Sequence, residues 1–195
     1  MEFTEEQAEA HNALFRAASE ILVSHAVIAG RPTPSAPDTL VRRQLEQGIQ
    51  LFSEALQINP EGWPSMWGLG KLYQRLGDNS TALKWFVAAH QVNPDQPDIL
   101  REAGIAALSL GAKEEALRLC FAAVRIAPDD LGLQANLALA FLIGGDDEHA
   151  EECASVAVSR DPQDAVSRAV LSLVQEVRQG RRPRPDRIDP PGAGA

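Results

Sequence analysis

The stretch QVNPDQPDIL, residues 91–100, contains a proline that ends one apolar segment before the next begins. The residue before a proline is pushed out of the helical region of φ/ψ space, so a helix is expected to end before Pro94. A proline at the corresponding place occurs in QINPEGWPSM, RIAPDDLGLQ and SRDPQDAVSR. The matching residues are Pro60, Pro128 and Pro162, and successive prolines are 34 residues apart. Such a fixed interval indicates that one local structure is repeated along the chain.

The composition favours helix over strand. The chain has 195 residues, of which 45% are hydrophobic and 5% aromatic. Alanine and leucine dominate the apolar fraction, and both are strong helix formers. No segment approaches the roughly 18 uncharged apolar residues that a membrane span needs. The N-terminal MEFTEEQAEA is acidic where a secretory signal is basic and then apolar. We therefore expect a soluble, cytoplasmic protein without a membrane partner.

The net charge of −9 is distributed unevenly. Residues 178–195 contain five arginines and two aspartates, so this segment carries +3 and the rest of the chain −12. An acidic body argues against a nucleic-acid footprint on the folded part. The two cysteines, Cys120 and Cys153, lie in different repeats and do not form a secreted disulfide framework. We expect both to be small buried residues.

Small residues recur at the same interval as the prolines. They are Gly77, Gly111 and Gly145; Ala82, Ala116 and Ala150; Ala55, Ala89, Ala123 and Ala157; and Gly70, Gly104 and Ala138. The first three lie in short connectors, where glycine is typical of a left-handed helix end. The others are expected to let two helices approach closely. Each repeat is thus predicted to be a helix pair whose apolar face its neighbours bury.

The repeat resembles that of the tetratricopeptide repeat (TPR) family. The clearest unit carries Met66, Leu69-Gly70, Tyr73, Gly77, Ala82, Phe86, Ala89 and Pro94 in order. Met66 stands where the family usually has tryptophan. In later units Ala107 replaces the aromatic residue of the first helix, and Cys120 and Ala154 replace that of the second. The resemblance implies an all-α fold, a right-handed superhelical solenoid of helix-turn-helix repeats.

The solenoid is expected to span residues 1–177. Its units are a divergent repeat over about 4–62, full repeats at 63–96, 97–130 and 131–164, and a capping helix at 164–179. The divergent repeat should begin at the capping box Thr4-Glu5-Glu6-Gln7. It has about 18 residues more than a standard unit. We expect these to extend the first helix through Ile28 and to form a surface loop over 29–39, for which a partner contact stays open.

Residues 180–195 are rich in arginine and proline and contain almost no apolar residues. Such a segment cannot bury enough surface to fold, so we expect it to be disordered. It is interpreted as a solvated tail. Its arginines leave open a role in steering an acidic partner or nucleic acid.

The resemblance implies that the first helices line a concave groove. The predicted groove residues are Trp67, Lys71, Gln74, Arg75, Arg101, Ile105, Leu108, Asn136, Leu139, Ile143 and Val170. One end of this set is polar and partly basic, and the other is apolar. An apolar stripe open to water is typical of a partner site. The alternative is that the closing helix and the curvature of the array already cover it.

Some TPR domains grip a C-terminal carboxylate with a fixed set of lysine, arginine and asparagine residues. Only Arg101 and Asn136 resemble members of that clamp. Ile105 stands where an asparagine is expected and Val170 where an arginine is expected. The resemblance therefore disfavours a receptor for chaperone tails, although Asn136 could still bond a ligand backbone.

No catalytic or metal-binding pattern is present in the sequence. The four histidines are scattered along the chain without the HExxH spacing, and Cys120 lacks a histidine in its own unit. The sequence predicts a non-catalytic adaptor, without cofactor or metal, that binds a peptide segment or helix of another protein. Two alternatives stay open: a dedicated chaperone similar to type III secretion chaperones, and a nucleic-acid-associated protein acting through its arginine tail. A homodimer through the outer helices, which carry Trp63 and Trp85, also stays open.

Overall fold

A computed structural model of the chain describes residues 4–25 and 36–188, in which every regular element is an α-helix. The helices are α1 (Glu5–His25), α2 (Thr39–Ile58), α3 (Trp63–Leu76), α4 (Asn79–Val92), α5 (Pro97–Leu110), α6 (Lys113–Ile126), α7 (Leu131–Gly144), α8 (Asp147–Arg160) and α9 (Ala165–Arg178). The predicted all-α fold is confirmed. None of the described helices is both long and apolar enough to span a bilayer.

The described residues form two compact units. Unit 1 ends at Pro94 and contains α1 to α4, and unit 2, Asp95–Ile188, contains α5 to α9 and the segment after α9. In both units consecutive helices pack in pairs, α1 with α2, α3 with α4, α5 with α6, and α7 with α8. The first helices also contact one another, α1 with α3 in unit 1, and α7 with both α5 and α9 in unit 2. The first helices of each unit therefore lie side by side.

Glycines in the left-handed region end the first helices, as the sequence predicts. Gly77, Gly111 and Gly145 have φ values of 85°, 67° and 99°. An L side chain is strained in this conformation, so glycine is the residue that closes the helix cheaply. An aspartate then starts the second helix in two of the repeats. Asp78 accepts a hydrogen bond from the Thr81 amide, and Asp146 accepts one from the His149 amide.

The small residues of the first helices lie where the second helix approaches most closely. A Cβ atom added to Gly70 would be 2.4 Å from a ring carbon of Phe86, and one added to Gly104 would be 2.8 Å from the Sγ of Cys120. Phe86 and Cys120 occupy the same position in successive repeats and are both buried. The prediction that small residues permit close helix contacts is confirmed at these two positions.

Each unit has its own core around such contacts. In unit 1, Phe52 and Leu72 are buried with Leu45, Leu69, Ala18 and Leu22. In unit 2 the closing helix α9 contributes Val170 and Val174, which pack with Leu142 and Ala138 of α7. The α9 helix therefore buries the side of α7 that no further repeat covers.

The divergent first repeat lengthens both of its helices. α1 has 21 residues and α2 has 20, whereas each later helix has 14. The capping box is confirmed, since the Thr4 hydroxyl and the Gln7 side chain each accept a hydrogen bond from the other residue's amide. α2 begins directly after its N-cap, Asp38, whose carboxylate accepts from the Val41 amide at 2.9 Å. The predicted extension of α1 through Ile28 and most of the 29–39 loop lie outside the described residues.

The expectation that residues 180–195 do not pack is wrong for 181–188. The Arg184 guanidinium donates to the carbonyl of Leu142 and to both carboxylate oxygens of Asp147. The Ile188 amide donates to the carbonyl of Leu108 at 3.1 Å. Apolar side chains are scarce in this segment, but it packs through charge and backbone hydrogen bonds instead. Residues 189–195 lie outside the described part of the chain.

Replacing Gly70 with alanine should destabilise the protein by about 1–3 kcal/mol, because the new methyl group would overlap the Phe86 ring. Gly144→Ala is the matched control, since a Cβ there meets nothing within 4 Å. The control should be neutral or stabilising by up to about 1 kcal/mol, as expected for alanine in a helix. Urea denaturation of both variants measures the difference. Equal stabilities would show that the Gly70 contact does not set the helix spacing.

Candidate interaction surface

Three of the predicted groove residues form a surface on the first helices of unit 2. Ile105 of α5 and Leu139 of α7 occupy the same repeat position, and both are partly exposed. Asn136 is also partly exposed and precedes Leu139 by three residues, so the two share a helix face. Because α5 and α7 contact each other, this set combines two aliphatic side chains with one amide. We call Ile105, Asn136 and Leu139 the inner face.

Other predicted groove residues are not available to a partner. Leu108 is 0% exposed, Ile143 1% and Val170 7%. The prediction of an open apolar stripe is wrong for these three residues. α9 packs on α7 and buries Val170, while the segment after α9 bonds to the backbone of Leu108 and Leu142. Sequence spacing places these residues correctly on first helices, but it does not show which later segment covers them.

Arg101 ties two repeats together. Its Nη2 lies 2.5 Å from Oδ2 of Asp130, and its Nη1 lies 3.4 Å from Asp98. Asp130 is also the N-cap of α7, because its other carboxylate oxygen accepts from the Leu133 amide. One carboxylate therefore caps α7 and neutralises an arginine of α5. Of the two residues that resemble the carboxylate clamp, Arg101 is thus engaged within the fold.

The polar groove residues predicted in unit 1 interact with one another. The Lys71 ammonium donates to the Gln74 side chain at 2.9 Å and lies 5.9 Å from the centroid of the Trp67 ring. Both distances suit a hydrogen bond and a cation–π contact. Lys71 is buried, whereas Trp67, Gln74 and Arg75 are partly exposed. At the predicted basic end of the groove, the Lys71 ammonium therefore already has interaction partners within the unit.

A second surface in unit 2 lies on the second helix of a repeat, where the sequence did not indicate one. It is a cleft of about 630 Å³. Its lining residues are Glu114, Leu117, Arg118, Phe121, Ala122, Arg125 and Phe141. Phe121 is 51% exposed, so half of an aromatic side chain faces solvent in this cleft. Phe121 directly follows the buried Cys120, and this register could have indicated that it points outward.

Beside this cleft, His149 forms a charged pair with the N-cap of its own helix. The His149 ring stacks on Phe141, with centroids 5.2 Å apart, and its Nδ1 lies 2.7 Å from a carboxylate oxygen of Asp146. The hydrogen bond to Asp146 raises the pKa of His149, and the charges of Asp146, Glu152 and Glu148 act in the same direction. Hydrogen bonds from the His149 backbone and ring lower the pKa of Asp146. Both groups are thus stabilised in their charged forms.

The unfolding free energy should lose the His149 contribution as pH rises. A histidine whose folded pKa exceeds its ordinary 6.5 stabilises the protein fully below 6.5, and that contribution disappears as pH passes through the folded pKa. The stability difference between the unmodified chain and His149→Gln should therefore shrink with rising pH. Denaturant melts on both sides of this transition measure it. A difference that does not change with pH would exclude the charged pair as its source.

The thiol of Cys120 is unsuited to nucleophilic chemistry. It lies in the contact with Gly104 and is buried, and this burial raises its pKa to about 12. The reactive form of cysteine is the thiolate, which this environment suppresses. Cys153 is only partly buried, and its pKa is raised first by burial and then by Glu152 and Asp146. The expectation that both cysteines are buried holds fully for Cys120 alone.

A thiol reagent should therefore modify Cys153 in the native protein and reach Cys120 only on unfolding. The Cys153→Ser variant isolates the Cys120 thiol, and Cys120→Ser isolates the other. We expect the labelling rate of Cys120 to follow the unfolding equilibrium as denaturant is added, because its Sγ is covered in the native state. Mass spectrometry of timed samples gives both rates. Equally fast labelling of both native thiols would contradict the buried contact.

Comparisons with known proteins identify the fold. No family model matches the chain, and no curated protein matches it. Among solved structures it is similar to MamA, with a TM-score of 0.73, 14% identity and coverage of 89% of this chain and 85% of MamA. It is also similar to YrrB, described as a TPR protein with an unusual peptide-binding site, with a TM-score of 0.62, 17% identity and 73% coverage of each chain. A third is the O-GlcNAc transferase of Thermobaculum terrenum, with a TM-score of 0.61 and 18% identity. This match covers 81% of this chain but 27% of the transferase. Identities this low show a shared fold and nothing finer.

Proposed function

We propose that this chain, which has the tetratricopeptide repeat fold, is a non-catalytic adaptor that binds a peptide segment or helix of a partner protein. The carrying observation is the inner face, where Ile105 and Leu139 stay partly exposed at equivalent positions of adjacent first helices. Fully burying an exposed aliphatic side chain yields at most about 1.5–3 kcal/mol, and the gain is smaller here because Ile105 and Leu139 are already largely covered. The Asn136 amide can donate to and accept from a ligand backbone, which would fix the ligand's position.

Two further observations support a binding role without catalysis. YrrB, whose fold this chain shares, is described as having a peptide-binding site. The O-GlcNAc transferase has the same fold over only 27% of its length, so that likeness does not carry the enzyme's activity to this chain. The buried Cys120 thiol, with its pKa raised to about 12, also argues against a cysteine nucleophile.

The arginines of residues 178–195 weigh against the nucleic-acid alternative. Three of the five are paired within the chain: Arg178 with Glu151, Arg182 with Glu176, and Arg184 with Asp147. A phosphate backbone would have to displace these carboxylates before it could use the charges. The chaperone alternative differs from the adaptor in the state of the partner, since a chaperone's client aggregates when expressed alone. Expression of the captured partner by itself separates these two roles.

The double variant Ile105→Glu plus Leu139→Glu should abolish capture of the partner from an extract of the protein's own organism. In the complex, the two new carboxylates would be buried against an apolar segment of the partner. This would weaken the binding free energy by several kcal/mol. The double variant combines Leu139 with Ile105 and not with Ile143, because Ile143 is buried. A glutamate in place of Ile143 would unfold the chain. Quantitative affinity purification, with helicity checked by circular dichroism, measures the loss.

Phe121→Glu is the control, because it replaces an apolar side chain by glutamate on the exposed cleft of α6 in the same unit, although it adds one carboxylate where the double variant adds two. Loss of the partner with the double variant and retention with Phe121→Glu support the inner face. Retention with the double variant refutes the proposal. If Phe121→Glu alone loses the partner, the α6 cleft is the binding site instead.

A further inference from the structure

The segment after α9 lies along one edge of unit 2. We call residues 181–188 the strap. Arg184 contacts the carbonyl of Leu142 at 2.6 Å and the carboxylate of Asp147 at 2.6 and 3.0 Å. Ile188 then donates its amide to the carbonyl of Leu108 at 3.1 Å. A Cβ on Gly111 would be 2.8 Å from the Asp186 carbonyl, so the strap backbone passes directly over the end of α5.

The strap contacts equivalent atoms of successive repeats. Leu108 and Leu142 occupy the same repeat position, near the ends of α5 and α7. Each carbonyl already accepts from its helix-ending glycine, Gly111 or Gly145, and uses its second lone pair for the strap. Four residues in extended form reach about 13 Å, which is enough to cross the roughly 8–10 Å between packed helices. One donor of the strap therefore meets one carbonyl in each of these two repeats.

The edge also has the charge that the strap requires. The C-terminal ends of helices carry partial negative charge, which favours cations. Carboxylates add to it: Glu176 pairs with Arg182, Asp147 with Arg184, and Glu151 with Arg178 at the end of α9. The bidentate geometry of Arg184 on Asp147 is the strongest of these arrangements, because two parallel hydrogen bonds fix both partners.

The strap behaves as a ligand rather than as part of the core. Most of its residues are exposed, and its bonds go to carboxylates and to the backbone carbonyls of Glu176, Leu142 and Leu108. Pro183 and Pro185 flank Arg184 and keep this part of the backbone out of helix. Any non-helical segment with an arginine between prolines and a backbone amide four residues later offers the same donors. The acceptors on the edge do not depend on which chain supplies that segment.

We propose that the edge formed by Leu108, Leu142 and Asp147 is a binding surface for a non-helical segment that carries an arginine between two prolines. The strap is its tethered occupant, and a segment of the same chemistry from another protein exchanges with it. A short tether gives the strap an effective concentration in the millimolar range, so the competing segment must reach similar concentrations or bind a second surface as well. This inference does not depend on whether the inner face binds a partner.

Competition by a synthetic peptide tests the exchange in the full chain. The peptide RRPRPDRI, which copies residues 181–188, is titrated into the ¹⁵N-labelled protein while the Ile188 amide signal is followed. We expect saturable displacement with a midpoint on the order of millimolar. The signal should move toward its position in the Arg184→Ala chain, where the strap is released. A peptide with alanine in place of its own Arg184 should have no effect at the same concentrations.

Two variants of the full chain, each with one carboxylate replaced by an amide, test how the strap is anchored. Asp147→Asn removes the arginine's partner and should release the Ile188 amide without any peptide. Asp129→Asn removes a comparable pair with Arg160, at 2.9 Å, away from the strap and should leave the signal in place. An unmoved Ile188 signal in both Arg184→Ala and Asp147→Asn would overturn the anchoring contact. If the strap is released in these variants but the peptide at several millimolar fails to displace it, or if both peptides displace it equally, the exchangeable surface is refuted.

Discussion

The close contact between a small first-helix residue, glycine in two of the full repeats and alanine in the third, and the second-helix side chain opposite it is the constraint on which these repeats depend. At Gly70 the Phe86 ring lies where a Cβ would be, and at Gly104 the Cys120 sulfur lies there. This contact sets how near the two helices of a pair approach. Because the pairs are then alike, their first helices lie side by side within a unit. Ile105 and Leu139 consequently occupy equivalent positions on two helices that contact each other.

Helix termination connects the fold to its edge. The glycines with positive φ turn the chain sharply, and their amides bond back to carbonyls of the last helical turn. Each of those carbonyls retains a second lone pair, and a sharp turn leaves it accessible. At Leu108 and Leu142 the strap supplies the second donor. The same repeat that specifies the turns therefore produces a regularly spaced row of acceptors.

Local rules predicted the parts of the structure that local interactions decide. The left-handed glycines, the capping box at Thr4 and the small residue at Gly70 each act through near neighbours, so they could be read from the sequence. The site was harder to predict. Leu108 and Val170 have the correct spacing for an open groove, yet both are buried. Arg101 has the position of a ligand-binding cation but bonds to Asp130, 29 residues away.

The sequence by itself determined that this chain is built of helix pairs with a 34-residue repeat, because the prolines, glycines and small residues act within a turn or two of their own position. Only the tertiary structure decided which surfaces stay open. Packing of Val170 with Leu142 and pairing of Arg184 with Asp147 join residues that are distant along the chain, and the Asp147 pair spans 37 positions. A repeat pattern places each residue on its helix, but packing of the whole unit determines what covers it.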